Sequence, residues 1–234
     1  MKINHGAAVS LDRGIYHFSE FLPKALALFS TRRFDATKDF TPFLQSLGLK
    51  TEQFCTVKQV HGDKVILVEK GEISSPAEAD GLISRVKHLA LAIRTADCAP
   101  VFFLDRRTPA VGICHAGWRG VQKGIVTRTI KMLERSLGSR PSELQIAIGP
   151  TICESCYEVG PEFVDSFPGF VKPKDSKFFF DLVGAIKKQL GDLDVSENSI
   201  SDSRLCTVCS ADQFFSARKE GVTTGRFFSA IMLK

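Results

Sequence analysis

No apolar stretch in the 234 residues approaches the roughly 20 that a membrane-spanning helix needs. The opening residues, MKINHGAAVSLDRG, lack the apolar core and small-residue cleavage site of a secretory signal. A cytoplasmic protein is therefore expected. Lysine and arginine form no block, and aromatic residues do not interleave with them. An excess of 31 basic over 26 acidic residues leaves a charge of +5, which does not point to nucleic acid. It is compatible with a small anionic substrate such as phosphate. There is no internal repeat, low-complexity tract or linker, so one domain over residues 1–234 is expected. No HExxH is present either. Seven cysteines, an odd number, read as free thiols or ligands rather than a disulfide frame in such a setting.

What is present is a chain of short β-prone runs and a few helical ones. Residues 15–18, 54–60, 65–68 and 79–84 read as strands, and residues 71–78 as a polar loop. Residues 89–93, 101–104 and 111–114 are apolar nearly throughout, so both their faces are expected to be covered. Residues 144–148 form another strand-like run. Residues 24–29 and 226–233 fit either strand or helix. Residues 42–47 read as a short helix closed by Gly48. Val121, Ile125, Ile130, Leu133 and Leu137 have helical spacing, ended by Gly138. Residues 157–167 read as a helix interrupted near Pro161. Phe179, Leu182, Val183, Ile186 and Leu190 suggest a helix over 178–190. The fold class is α/β, with many strands and few long helices.

The chain is organised around residues 94–120, RTADCAPVFFLDRRTPAVGICHAGWRG. His61, Cys98 and His115 each stand where a strand-like run meets a Gly- or Pro-bearing turn, where side chains distant in sequence can converge. Two imidazoles and a thiolate suit zinc among the common ions, and three protein ligands leave a position open for water or substrate. The plainer readings also stand. A lone His beside Gly is usually a satisfied or surface histidine, and free Cys is among the most buried residue types. Gly117-Trp118-Arg119-Gly120 precedes a helix. Its free amides and guanidinium make either an anion site, with phosphate as the fitting ligand, or an ordinary tight turn. Cys153-x-x-Cys156 and Cys206-x-x-Cys209 have the spacing of a structural zinc or iron–sulfur site. Neither carries a knuckle glycine, and neither clearly opens a helix after a strand as a redox pair does.

Several motifs together carry a resemblance. They are Lys58-Gln59-Val60-His61-Gly62, Ala79-Asp80-Gly81, Thr95-Ala96-Asp97-Cys98, His115-Ala116-Gly117-Trp118-Arg119-Gly120 and Ile148-Gly149-Pro150. Cys156-Tyr157-Glu158-Val159-Gly160, Cys206-Thr207-x-Cys209 and Thr224-Gly225-Arg226 complete the set. In this order, from about Phe54 to the C-terminus, the chain resembles the laccase-domain family. That family is also called multicopper polyphenol oxidase laccase, and is described as purine nucleoside phosphorylase with adenosine deaminase activity.

The resemblance implies a single-domain α/β/β/α layered fold with mixed sheets. It implies one zinc held by His61, Cys98 and His115, and phosphorolysis of adenosine, inosine and S-methyl-5'-thioadenosine. It also implies hydrolytic deamination of adenosine. Asp80 and Asp97 are candidates for general acid/base work only as carboxylates beside the trio. Arg32, Arg119, Gly117 and Gly120 are candidates for phosphate. The expected partners are purine nucleosides and phosphate, with no nucleic acid or membrane, and the expected state is a monomer. A copper-linked polyphenol oxidase is the alternative enzyme, against which five histidines argue. A non-catalytic zinc-containing nucleoside- or phosphate-binding protein is the other alternative. The chain departs from the family pattern after Phe29-Ser30-Thr31-Arg32. The expected glycine pair is replaced by Arg33-Phe34-Asp35-Ala36. Cys153 stands where a glycine is common, and Ala217 stands where a tyrosine is usual.

Overall fold

A computed structural model describes residues 9–38, 40–69 and 77–234. Most of the expected polar loop, residues 71–76, lies outside the described residues. In chain order the strands and helices begin with β1 (Val9–Asp12), β2 (Ile15–Phe18), β3 (Ala25–Ser30), α1 (Thr41–Ser46) and β4 (Phe54–Thr56). Next come β5 (Val65–Val68), β6 (Gly81–Ser84), β7 (Ala90–Thr95), β8 (Ala99–Asp105) and β9 (Val111–Ala116). The chain continues with α2 (Trp118–Lys123), α3 (Ile125–Leu137), β10 (Leu144–Ile148), β11 (Glu158–Val159) and α4 (Phe163–Ser166). It closes with β12 (Val171–Lys174), β13 (Lys177–Phe180), α5 (Leu182–Gly191), β14 (Ile200–Asp202), α6 (Ala217–Glu220) and β15 (Phe227–Leu233).

Two six-stranded sheets stack face to face, in the orders β1-β2-β3-β15-β7-β4 and β14-β10-β8-β9-β6-β5. Both are mixed. The pairs β4/β7, β5/β6 and β10/β14 are parallel, whereas the other neighbours in these two sheets run antiparallel. A small antiparallel sheet, β11-β13-β12, stands apart. Successive strand residues face opposite ways. Leu91, Ile93, Phe102, Leu104, Phe227 and Ile231 therefore fill the layer between the sheets. Ala90, Ala92, Phe228 and Ala230 turn outward and pack with Phe43 and Leu44 of α1. On the other outer face Val101, Phe103, Ile146 and Ile148 meet Ile125, Ile130 and Leu133 of α3 and Ile186 of α5. The layers are thus α/β/β/α in a single-domain fold, and the continuous apolar runs follow from cover on both faces.

Local chemistry departs from the periodicity at four places. The strand expected over 54–60 ends at Thr56. Beyond it the Gln59 side chain replaces backbone pairing, accepting the Arg94 N–H and donating to the Arg94 carbonyl, both at 2.8 Å. The helix expected from Val121 to Leu137 breaks into α2 and α3 at Gly124, whose φ of +83° is left-handed. Residues 157–167 hold strand β11 and only the one-turn α4. Phe178–Phe180 belong to β13 rather than to the following helix, which starts after Asp181, whose carboxylate accepts the Gly184 N–H at 2.8 Å. Residues 24–29 and 226–233, open between strand and helix from the sequence, lie almost entirely in the paired central strands β3 (Ala25–Ser30) and β15 (Phe227–Leu233).

Phe102 is fully buried between the sheets, its ring centroid 5.3 Å from that of Phe18. Phe102→Ala is expected to destabilise the fold by about 3–5 kcal/mol, since neighbouring strands cannot collapse into the space. Urea unfolding with an unchanged m-value checks it.

Candidate metal centre

Two loops and the end of a strand converge at one end of the stacked sheets. His61 lies in the segment after β4, Cys98 in the turn joining β7 to β8, and His115 near the end of β9. Their donor atoms lie within 4.8 Å of one another. The His61 and His115 rings meet edge-on, with centroids 4.8 Å apart. His115 is buried, Cys98 is partly covered and His61 is exposed.

Asp80, fully buried, organises this arrangement. Its carboxylate accepts the N–H groups of Val60 at 3.2 Å, His61 at 3.0 Å and Gly62 at 2.7 Å. Three successive amides form a backbone cradle for an anion, and His61 adopts a left-handed φ of 56° within it. The same carboxylate meets His115 Nδ1 at 2.8 Å, while the Asp80 carbonyl accepts the His115 N–H at 2.7 Å. An imidazole whose Nδ1–H is held by a carboxylate presents Nε2 to a metal. Burial pushes the Asp80 pKa up, but the bond to His115 and the amides outweigh it and hold it below the usual carboxylate value. Burial likewise opposes ionisation of Cys98, yet the charges and hydrogen bonds of His115 and His61 bring its thiol down to about 6. His115 is raised to about 9, against burial, by the Cys98 thiolate and by Asp80. Without an ion these shifts describe a Cys98 thiolate beside a protonated His115, and a bound cation would displace the Nε2 proton to give a thiolate and two imidazoles as donors.

Gly117 caps α2 beside this set. A Cβ there would come 2.7 Å from Cys98 Sγ and 3.3 Å from the His61 ring. Gly120 is buried within α2, where a Cβ would lie 3.1 Å from the Gly62 carbonyl oxygen. The two glycines thus let the helix start approach the ligand loops. The Asp97 carboxylate accepts Thr207 Oγ1–H at 2.6 Å and the Arg218 N–H at 2.7 Å, tying the Cys98 turn to two distant segments. Asp97 itself has a left-handed φ of 93°.

A cleft of about 700 Å³ opens over the trio. Asp97, Trp118 and Arg119 line it, together with Lys58, Arg94, Tyr157, Arg218 and Arg226, which are not among the site residues expected from the sequence. Arg119 lies 4.2 Å over the Trp118 ring. Among the described residues, the Arg94 and Arg119 guanidinium groups show no hydrogen bond or ion pair. Arg226 is held by the carbonyls of Thr224, Gly225 and Val222. Arg32 does not line the cleft. Its guanidinium bonds to the Ala211 carbonyl, pairs with Glu220 at 3.2 Å and covers the Phe215 ring. A groove of about 730 Å³ runs along α3 past Asp63, Lys123 and Arg128. It contains none of the metal-ligating clusters, so the chemistry is assigned to the cleft over the trio.

Asp80→Asn replaces an anionic acceptor by an amide inside the cradle. It is expected to weaken metal binding by about 10–100-fold. Gly117→Ala is expected to weaken it too, because the methyl group strikes Cys98 Sγ. Competition against a chromophoric chelator measures both, and unaltered affinity in either variant contradicts the geometry.

Residues 35–234 match the family model of the multi-copper polyphenol oxidoreductase laccase. A purine nucleoside phosphorylase of Bacteroides thetaiotaomicron is 31% identical over 210 residues, covering 82% of this chain and 78% of that protein. Adenosine deaminase RL5, from an unknown prokaryotic organism, is 30% identical over 205 residues, covering 80% and 78%. Among solved structures, the Bacillus licheniformis hypothetical protein YfiH superposes with a TM-score of 0.89 at 26% identity, over 97% of this chain and 99% of that one. With the family model matched from Asp35 to the last residue, the chain belongs to the multi-copper polyphenol oxidoreductase laccase family.

Proposed function

We propose that the chain is a zinc-dependent purine nucleoside phosphorylase. It acts on adenosine, inosine and S-methyl-5'-thioadenosine, and it also deaminates adenosine. The observation that carries this reading is the meeting of His61, Cys98 and His115 under a cleft bordered by basic side chains. The names of the relatives supply the substrate class.

The donor set fits zinc. Two imidazole nitrogens and a thiolate lie close enough to share one ion, and three protein ligands would leave a fourth position for water or substrate. When bound there, zinc supplies a Lewis acid that lowers the pKa of water and polarises a bound group. The chain's own residues do the rest. Asp80 and Asp97, with both carboxylate oxygens engaged, hold the ligand loops rather than carry protons to a substrate. Arg94 and Arg119, whose guanidinium groups have no acceptor among the described residues, receive phosphate and offset its charge near the ribose carbon under attack. Arg32, neutralised by Glu220, braces the amino-terminal segment instead. Trp118 and Tyr157 present aromatic surface to the purine ring. Among the described residues, the two metal-ligating groups are this trio and a cluster of four cysteines. That donor supply does not match a centre of several coppers, so the oxidase alternative finds no support here.

Cys98→Ala is expected to lose the bound zinc and, with it, phosphate-dependent release of base from adenosine and inosine. Metal content and turnover are measured on the same sample, and full activity without metal overturns the reading. Arg119→Ala is expected to keep the zinc and raise the KM for phosphate about 10-fold or more. An unchanged phosphate KM removes Arg119 from the phosphate site.

A further inference from the structure

Cys153, Cys156, Cys206 and Cys209 do not line the cleft, yet the fold brings all four together. Cys153 and Cys156 bracket a single turn of helix over Glu154–Cys156. Cys206 and Cys209 bracket a turn before α6. The segments are joined by an isolated bridge between Thr151 and Cys206. The four sulfurs lie within 4.8 Å of one another. Cys156 Sγ and Cys209 Sγ are 3.6 Å apart. That is too long for a disulfide, at about 2 Å. It is close to the sulfur–sulfur edge of about 3.8 Å that a tetrahedron of zinc–thiolate bonds near 2.3 Å requires. The Cys153 N–H points at Cys206 Sγ at 3.3 Å, the kind of donor that offsets thiolate charge. All seven cysteines are free.

We propose that Cys153, Cys156, Cys206 and Cys209 bind a second, mononuclear zinc ion as a closed tetrathiolate site with a structural role. Four protein ligands leave no position for substrate, which separates this site in kind from the three-ligand centre. An iron–sulfur cluster distributes its thiolates over two or more irons, so some pairs stand further apart than around a single ion. The compact sulfur set argues for the single ion. A small cleft of about 370 Å³ reaches Cys153 and Cys206 and provides a route for loading. The ion joins a segment that lines the cleft over the trio and one that holds a cleft residue, Asp97, in place. Ile152 and Tyr157 of the first segment line that cleft, and Thr207 of the second holds Asp97 beside Cys98.

The test is metal stoichiometry on the full chain, reconstituted with zinc and then with Co²⁺. The wild-type protein is expected to bind two ions. Cys98→Ala is expected to keep one, with the strong thiolate-to-cobalt charge-transfer bands and visible absorption of a tetrathiolate. Cys209→Ser, at an exposed position, is expected to lose or weaken about 10-fold or more the tetrathiolate ion while the trio keeps its own. Cys153→Ser gives a second route if Cys209→Ser fails to fold. Wild-type protein that binds a single ion, lost in Cys98→Ala and untouched by Cys209→Ser, overturns the proposal. So does a mass four hydrogens below the reduced chain, which marks two disulfides, or acid-labile sulfide in the purified protein. Loss of nucleoside turnover in every sample does not bear on it, because the ion count is independent of activity.

Discussion

The buried carboxylate of Asp80 is the constraint on which the His61, Cys98 and His115 cluster depends. A charge removed from water must be met by donors, and here all the donors belong to the site. Three consecutive amides from residues 60–62 and the Nδ1–H of His115 converge on it. The geometry of His61 and the ring orientation of His115 are thus two consequences of one ion's solvation. The left-handed backbone at His61 is sustained because leaving that position would strip two or three donors from the carboxylate. Asp80 occupies the residue before β6, and its carbonyl receives the His115 N–H. The strand pairing of β6 with β9 therefore sets the height of the carboxylate relative to the imidazole.

Sheet stacking supplies the rigidity behind this. Strands β8 and β9 are buried along their whole length, and alternate residues belong to the layer between the sheets and to the layer under α3 and α5. Cys98 and His115 stand at adjoining ends of this hairpin-like pair, where Pro100 is opposite His115 in register. The ligands are therefore anchored in strands covered on two sides, while His61 arrives on a loop fastened to β7 by Gln59. The combination gives two ligands held by the core and one held by hydrogen bonds to it.

The trio was legible in the chain because each member sits beside a turn that interrupts an apolar run, and turns between buried strands gather at sheet ends. The layered class was legible for a related reason: runs such as residues 101–104, apolar on both faces, have no place except between two covers. The boundary errors have local causes. Phe178–Phe180 extend a helical pattern by chance, although Asp181, an N-cap residue three positions before Gly184, marks the true start. Gly124 broke one expected helix into two because its left-handed conformation is a tertiary choice, with no clash or periodicity to announce it. Arg94, Arg218 and Arg226 were not legible as neighbours. β7 and β15 pair across more than half the chain, and nothing local reports that pairing. Arg32 was expected near phosphate, but Glu220, far along the chain, takes up its charge.

The two sulfur-bearing clusters are joined through one hydrogen bond. Asp97 precedes Cys98 in sequence and accepts the hydroxyl of Thr207, which follows Cys206. Its other carboxylate oxygen accepts the Arg218 N–H, at the start of α6 on the cleft rim. A carboxylate with a left-handed backbone and both oxygens engaged is a stiff link. Displacement of the 206–209 turn pulls on the thiolate loop and on the rim together. Cys153 has a physical reason to stand in this turn if it completes a tetrahedron with Cys156, Cys206 and Cys209. The four-thiolate ion then fixes the turn, the turn fixes Asp97, and Asp97 fixes the sulfur that the three-ligand centre needs. Positional precision at Cys98 is in this way derived from a site that itself performs no chemistry.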